Sequence, residues 1–156
     1  MFSRTKLRDK AASLVKKCRS VAVTSYEDFS TRSELVADLD GDHALAKWDI
    51  VMTVAAVGIA IETIDDSVPE SQLKRFHELL VKELSGSHPV AVEMLEHLTE
   101  FVGKMSQSHM PRTAAVGAWV VSNLKGEAPT EVEHDISPDI GQYLETALLG
   151  WWDRLV

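Results

Sequence analysis

An uncharged apolar run at residues 50–61, IVMTVAAVGIAI, constrains the fold more than any other segment. Its twelve residues span about 18 Å as an α-helix, whereas the hydrocarbon core of a bilayer is about 30 Å thick. A helix that is apolar on every side has to be covered by protein on every side. The run therefore predicts a buried central helix, at about 43–65, and no transmembrane segment.

Helical periodicity extends through almost all of the chain. Apolar residues recur at three- and four-residue spacing, and no segment alternates at period two. We therefore predict an all-α fold of about seven helices packed around the third, in a single domain covering 1–156. The predicted helices cover about 4–22, 26–39, 43–65, 67–86, 88–107, 111–126 and 137–156.

Two short segments of the chain are similar to each other. Residues 53–58, TVAAVG, resemble residues 112–117, RTAAVG. In each case the helix continues past the glycine and reaches a proline, Pro69 or Pro129, about a dozen residues later. The similarity indicates either two degenerate helix-turn-helix halves or a coincidence between two alanine-rich helices.

The cysteine content and the start of the chain indicate the cellular compartment. The 156 residues include a single cysteine, Cys18, so no internal disulfide can form and a reducing compartment is expected. The first residues lack the apolar segment of a secretory signal. We therefore predict a soluble cytoplasmic protein. Cys18 itself lies on the apolar stripe of the first helix, where an unreactive buried thiol is expected.

Charge is distributed unevenly along the chain. Residues 1–20 contain seven basic residues and one acidic residue, a net charge of +6, so the remaining 136 residues carry −14, since the whole chain carries −8. The basic first helix can dock on the acidic body, bind an anionic membrane or nucleic acid, or act as a transit peptide. We favour docking, through the apolar stripe formed by Leu7, Ala11, Leu14, Val15, Cys18 and Val21.

The same helix carries the candidate residues for binding an anionic surface. These are Lys16, Lys17 and Arg19, near its carboxyl end. No aromatic residues alternate with the basic ones, so the base stacking typical of single-strand binding is not expected. Nucleic acid is therefore not a predicted partner.

The sequence VADLDGDHALAKWD, which precedes the central helix, resembles a cation-binding loop at first sight. Asp38, Asp40 and Asp42 occupy the first, third and fifth positions of a calcium EF-hand loop. Glycine, however, lies one place early at Gly41, and Asp49 stands where such a loop needs a bidentate glutamate. We therefore interpret the stretch as a helix boundary, with Gly41 ending the second helix and Asp42 capping the third.

A second acidic cluster, Glu62, Asp65 and Asp66, follows the central helix and precedes Glu70. Acidic residues at the carboxyl end of a helix oppose its macrodipole, so their placement is mildly unfavourable. A bound cation or a neighbouring basic residue would offset this cost. The cluster is therefore a stronger candidate for a function than the acids that precede the central helix.

This region is similar to a known family. The apolar helix, the sequence IDDSVPESQ and the amphipathic helix that follows it resemble the TerB-like domains associated with tellurite resistance. The resemblance covers about 25 residues and implies an all-helical domain that binds a divalent cation through Asp65, Asp66 and Glu70. Ile64 and Asp66 stand where the family has alanine and glycine, and Gln72 stands where it has glutamate.

No arrangement typical of a catalytic site occurs, so we name no catalytic residues and favour a protein that is not an enzyme. The Glu-x-x-His pattern that ends at His134 is predicted to lie in a loop, whereas a di-iron site needs it inside a bundle. His97 lies with Glu93 and Glu100 on the side of the fifth helix away from its apolar stripe, which predicts solvent exposure. No nucleophile elbow or phosphate-binding loop is present.

These observations predict an interaction or regulatory protein that is able to homodimerise. The third helix, or Trp151 and Trp152 at the end of the chain, would supply the interface. Trp151 continues the buried face of the last helix, whereas Trp152 points about 100° away and could anchor a partner. The alternatives are a cation-binding module of the TerB-like type and a protein that binds an anionic surface through its basic first helix.

Overall fold

A computed structural model describes residues 4–30, 41–64, 68–125 and 131–148. Within these ranges the chain forms six helices and no strand. The predicted all-α class is therefore confirmed, whereas a bundle of seven helices is not. The helices are α1 Arg4–Ser30, α2 Gly41–Ile64, α3 Glu70–Ser87, α4 Ala91–Gln107, α5 Arg112–Lys125 and α6 Glu131–Leu148.

The predicted central helix is confirmed as α2. It contacts α1, α4, α5 and α6, and α3 packs on α1 and α4. The side chains of α2 that these helices cover are Trp48, Val51, Met52, Thr53, Val54, Ala55, Ala56, Val57, Ile59 and Ala60. These side chains are buried inside the chain and are not open to another molecule. No helix in the described ranges has the length and apolar character needed to cross a bilayer.

The first helix is longer than its predicted range of 4–22. It continues to Ser30, across the predicted break. The hydroxyl groups of Thr24 and Ser25 donate to carbonyl oxygens three or four residues earlier in α1, at 2.9 and 2.7 Å, instead of capping a new helix. The buried stripe also continues as far as Phe29, so burial favours an unbroken helix. The rest of the predicted second helix, 31–39, lies outside the described residues.

The helix boundary predicted at Gly41 and Asp42 is displaced. Gly41 begins α2 and does not end a preceding helix, so residue 42 lies in the first turn of α2 and does not precede it. A calcium EF-hand loop would still wrap around its ion at these positions, whereas residues 41–49 are helical. Asp38 and Asp40 lie outside the described residues.

The last helix begins earlier than predicted. It starts at Glu131 instead of about residue 137, so Pro138 lies inside the helix and not in its first turn. A proline in a helix removes one backbone hydrogen bond and costs about 3 kcal/mol. The buried side chains of Ile140, Leu144 and Leu148, at four-residue spacing, pack the helix into the core and compensate for this cost.

Two glycines allow helices to approach closely. A Cβ atom placed on Gly58 of α2 would lie 2.6 Å from Cδ2 of Leu98, a flexible side chain of α4. A Cβ atom placed on Gly141 of α6 would overlap the carbonyl oxygen of Thr113, which belongs to the backbone of α5. Of Gly58, Gly86, Gly103 and Gly141, the tightest contact is at Gly141.

We expect Gly141→Ala to lower the free energy of unfolding by about 1–3 kcal/mol, because the helix backbones must move apart. Gly103→Ala is the matched control, since a Cβ atom there meets nothing within 4 Å. In the helix interior this control should raise stability by roughly 0.5–1 kcal/mol. Urea denaturation measures both values. Equal stability of the Gly141→Ala variant and the unmodified protein would contradict the close contact between α5 and α6.

Candidate functional site

The docking of α1 leaves its basic residues at the edge of the bundle. All six members of the predicted apolar stripe are buried, so the docked arrangement of the first helix is confirmed. Lys16 and Arg19 are exposed and Lys17 is half-buried. Lys10 is buried, and this burial, with a smaller contribution from the charge of Lys6, lowers the pKa of its amine.

Two of the three predicted basic residues line one groove between α1 and α2, which we call the α1–α2 groove. Its volume is about 370 Å³, and its lining residues are Lys16, Arg19, Ser20, Val23, Thr24 and Asp49. The first five lie on one face of α1, because three- and four-residue spacing places helical side chains side by side. Asp49 comes from α2, so the groove exists only when the two helices pack.

Asp49 contributes a carboxylate to the groove, and one oxygen of this carboxylate has no hydrogen-bond partner in the described part of the chain. Its Oδ2 lies 3.7 Å from Nε2 of His88, which is within ion-pair range but too long for a hydrogen bond. Its Oδ1 is buried, as is Nε2 of His88, and neither atom has a hydrogen-bond partner among the described residues. A buried polar atom without a partner costs about 1–3 kcal/mol. The side chain as a whole is 22% exposed, so a ligand in the groove can reach the carboxylate although Oδ1 itself is closed to solvent.

Two exposed valines border this region. Val23 lines the α1–α2 groove and is 52% exposed, and Val90 is 59% exposed. Val90 follows His88 by two residues in the turn between α3 and α4, and His88 contacts Asp49. They are the large apolar side chains that the described part of the chain leaves most open to water. The groove therefore offers positive charge, a carboxylate oxygen and apolar surface together.

The structure describes only part of the acidic cluster that follows the central helix. Asp65 and Asp66 lie outside the described residues, and Glu70 is an exposed residue at the start of α3. Glu62 forms an ion pair with Arg112 of α5, whose guanidinium is also 3.7 Å from Glu145. Arg112 therefore supplies a basic partner of the kind expected for acids at the end of α2. In the ranges that the structure describes, no three His, Cys, Asp or Glu side chains converge as a metal site requires.

The predicted partner-binding residues have different outcomes. Lys16 and Arg19 both line the α1–α2 groove. Lys17 is rotated about 100° around α1 from Lys16 and does not line this groove. Trp151 and Trp152 lie outside the described residues. The contribution of Asp49 was missed, since its contact with His88 joins positions far apart in sequence. Val23 could have been found, because an apolar residue among polar neighbours on the outer face of a helix is visible in the sequence.

His97 is exposed as predicted, but it has a structural role that the sequence did not indicate. Its Nδ1 accepts a hydrogen bond from Nε1 of Trp119, at 2.9 Å. Trp119 is fully buried, so this bond satisfies a donor that cannot reach water. The contact joins α4 to α5 at the edge of the core.

We expect His97→Leu to lower the free energy of unfolding by about 1–3 kcal/mol, because it leaves the buried indole N–H of Trp119 without an acceptor. His97→Asn is the matched control, since its side-chain oxygen can accept the same bond. Urea denaturation followed by tryptophan fluorescence measures both. An equal loss of stability in the two variants would show that the hydrogen bond is not the cause.

Cys18 has the environment that the sequence predicts. It is fully buried, and this burial raises the pKa of its thiol to about 12, against a smaller opposing effect of Lys17. The thiolate is the reactive form, so the folded protein presents almost none of it near neutral pH.

We expect iodoacetamide to modify Cys18 at pH 8 only when the protein unfolds. Mass spectrometry should show slow labelling in buffer and fast labelling in concentrated urea. Labelling of the folded protein at the rate of the unfolded chain would contradict the burial of this side chain.

Comparison of the chain with protein-family models, curated protein sequences and solved structures found no match. The resemblance of residues 50–75 to TerB-like domains stays a prediction from sequence, and so does a divalent cation held by Asp65, Asp66 and Glu70. Function has to be inferred from the residues of this chain and their geometry.

Proposed function

We propose that the protein is an interaction domain that binds an acidic segment of a partner protein in the α1–α2 groove. The observation that carries this proposal is the convergence of Lys16 and Arg19 with the partly exposed carboxylate of Asp49 in one groove. A carboxylate side chain of the partner would bind the two cations. A backbone N–H of the partner would donate to Asp49, and an apolar side chain would cover Val23.

Asp49 favours a peptide over an anionic membrane. A membrane surface that presents only negative charge would be repelled by a carboxylate within the groove. A peptide carries an N–H donor at almost every residue, so it can bind this carboxylate and the two cations at once. The concave shape also suits a side chain better than the plane of a bilayer.

The groove lies in the basic part of a protein that is otherwise acidic. The whole protein carries −8, so an acidic partner is repelled by most of its surface. Residues 1–20 carry +6, and Lys16 and Arg19 belong to this part. An acidic partner is therefore directed to α1, and salt should weaken the contact because exposed charges are screened.

We expect the double variant Lys16→Glu, Arg19→Glu to bind an acidic peptide at least tenfold more weakly than the unmodified protein. The probe is a fluorescent peptide of alternating glutamate and leucine, and anisotropy at low and high salt measures its binding. Arg8→Glu, Lys104→Glu is the matched control, because both residues are exposed and outside the groove. The control changes the net charge by the same amount as the double variant but leaves the groove intact. It should therefore retain binding of the peptide.

Asp49→Asn separates the two kinds of anionic partner. The substitution removes a negative charge without changing the shape of the side chain. It should weaken binding of the peptide, whose backbone donates to the carboxylate, and strengthen binding to vesicles of phosphatidylglycerol, an anionic lipid without an ammonium group. Binding to such vesicles, with no binding of the peptide, would overturn the proposal in favour of a membrane surface. An equal loss of peptide binding in the control variant would show that net charge, and not the groove, causes the effect.

A further inference from the structure

The outward side of α3 forms a second surface, distinct from the α1–α2 groove. It is a shallow, open depression of about 630 Å³. Its lining residues, which we call the α3 surface, are Glu70, Leu73, Lys74, His77, Glu78 and Val81. The inward residues of α3, Phe76, Leu79, Leu80 and Leu84, are buried and hold the helix on α1 and α4. The α3 surface is therefore presented by an anchored helix.

The α3 surface has a regular pattern of apolar and charged residues. Leu73, His77 and Val81 follow each other at four-residue spacing and are partly exposed, so they form a row along the helix. Lys74 and Glu78 are exposed and lie on one flank of this row, one turn apart. The pattern is a partly apolar row with a positive and a negative charge beside it.

This pattern is complementary to itself in one orientation. When two such helices cross antiparallel, with a two-fold axis near His77, Leu73 of one copy faces Val81 of the other. In this arrangement the same flank of both helices lies on the same side, so Lys74 of each copy comes within reach of Glu78 of the other. A parallel arrangement would instead place the charged flanks of the two copies on opposite sides of the contact, so no reciprocal Lys74–Glu78 pairs would form.

We propose that the α3 surface is the site at which a second copy of this chain binds, in an antiparallel arrangement with two reciprocal Lys74–Glu78 pairs. The second copy is favoured over an unrelated partner because the order of charges on α3, positive and then negative, is complementary to its own reverse. One helix per subunit forms the contact, so the dimer is weak and depends on protein concentration. This inference does not depend on the proposed peptide site, because the two surfaces share no residue.

Charge reversal at the two positions tests the arrangement. Lys74→Glu alone places two negative charges opposite each other in a dimer, and Glu78→Lys alone places two positive charges opposite each other. We expect each single variant to dimerise at least tenfold more weakly than the unmodified protein in sedimentation velocity. An equimolar mixture of the two should form a heterodimer with nearly the original affinity, and the double variant Lys74→Glu, Glu78→Lys should form a homodimer.

The fold should tolerate these substitutions. Glu78 also pairs with Arg75 in the same helix at 3.4 Å, but the two side chains are 54% and 58% exposed, so this pair contributes little to stability. Circular dichroism and melting curves of each variant check this directly. The mixing experiment is independent of effects within one helix, because both single variants keep their own sequence in the mixture.

Three results would overturn the inference. The first is an unmodified protein that stays monomeric at high concentration. The second is a pair of single variants that dimerise as well as the unmodified protein. If the double variant Trp151→Ala, Trp152→Ala is then monomeric, the interface lies at the end of the chain. The third is a mixture of the single variants that stays monomeric although both have lost the homodimer.

Discussion

The rest of the structure depends on covering α2, a helix with no polar face. Because water is unfavourable on every side of it, α1, α4, α5 and α6 have to surround it. This requirement decides the role of the basic first helix, whose apolar stripe is used to cover the core. It also decides where the cations of α1 lie, since long basic side chains beside a buried stripe remain at the rim.

Apolar burial alone does not choose one arrangement of helices, and a few polar contacts at the edge of the core add this specificity. Trp48 of α2 donates to the hydroxyl of Ser25 in α1, at 3.0 Å, in a buried contact. Trp119 of α5 donates to His97 of α4 in the same way. Each contact satisfies an indole N–H that would otherwise be costly to bury, so a helix rotated out of place would lose it.

The two surfaces that we connect with function follow from this packing. The α1–α2 groove combines cations left at the rim of α1 with a carboxylate of α2, and neither helix forms it alone. The α3 surface belongs to a helix that covers the bundle from outside and contacts α1 and α4, so its outer face stays accessible. The α1–α2 groove offers both positive and negative charge to a peptide. The α3 surface offers a row of partly apolar side chains that is complementary to the same row of a second copy.

Periodicity in the sequence was sufficient for the all-α class, the buried central helix, the docked stripe of α1 and the burial of Cys18, because a helix places nearby residues on one face wherever it packs. Helix ends were less predictable, since a serine or threonine can cap a new helix or bond back to its own, as Thr24 does. The contacts of Asp49 with His88 and of Glu62 with Arg112 were decided by the tertiary structure alone. Such pairs depend on how whole helices are rotated and crossed, and no local spacing records this.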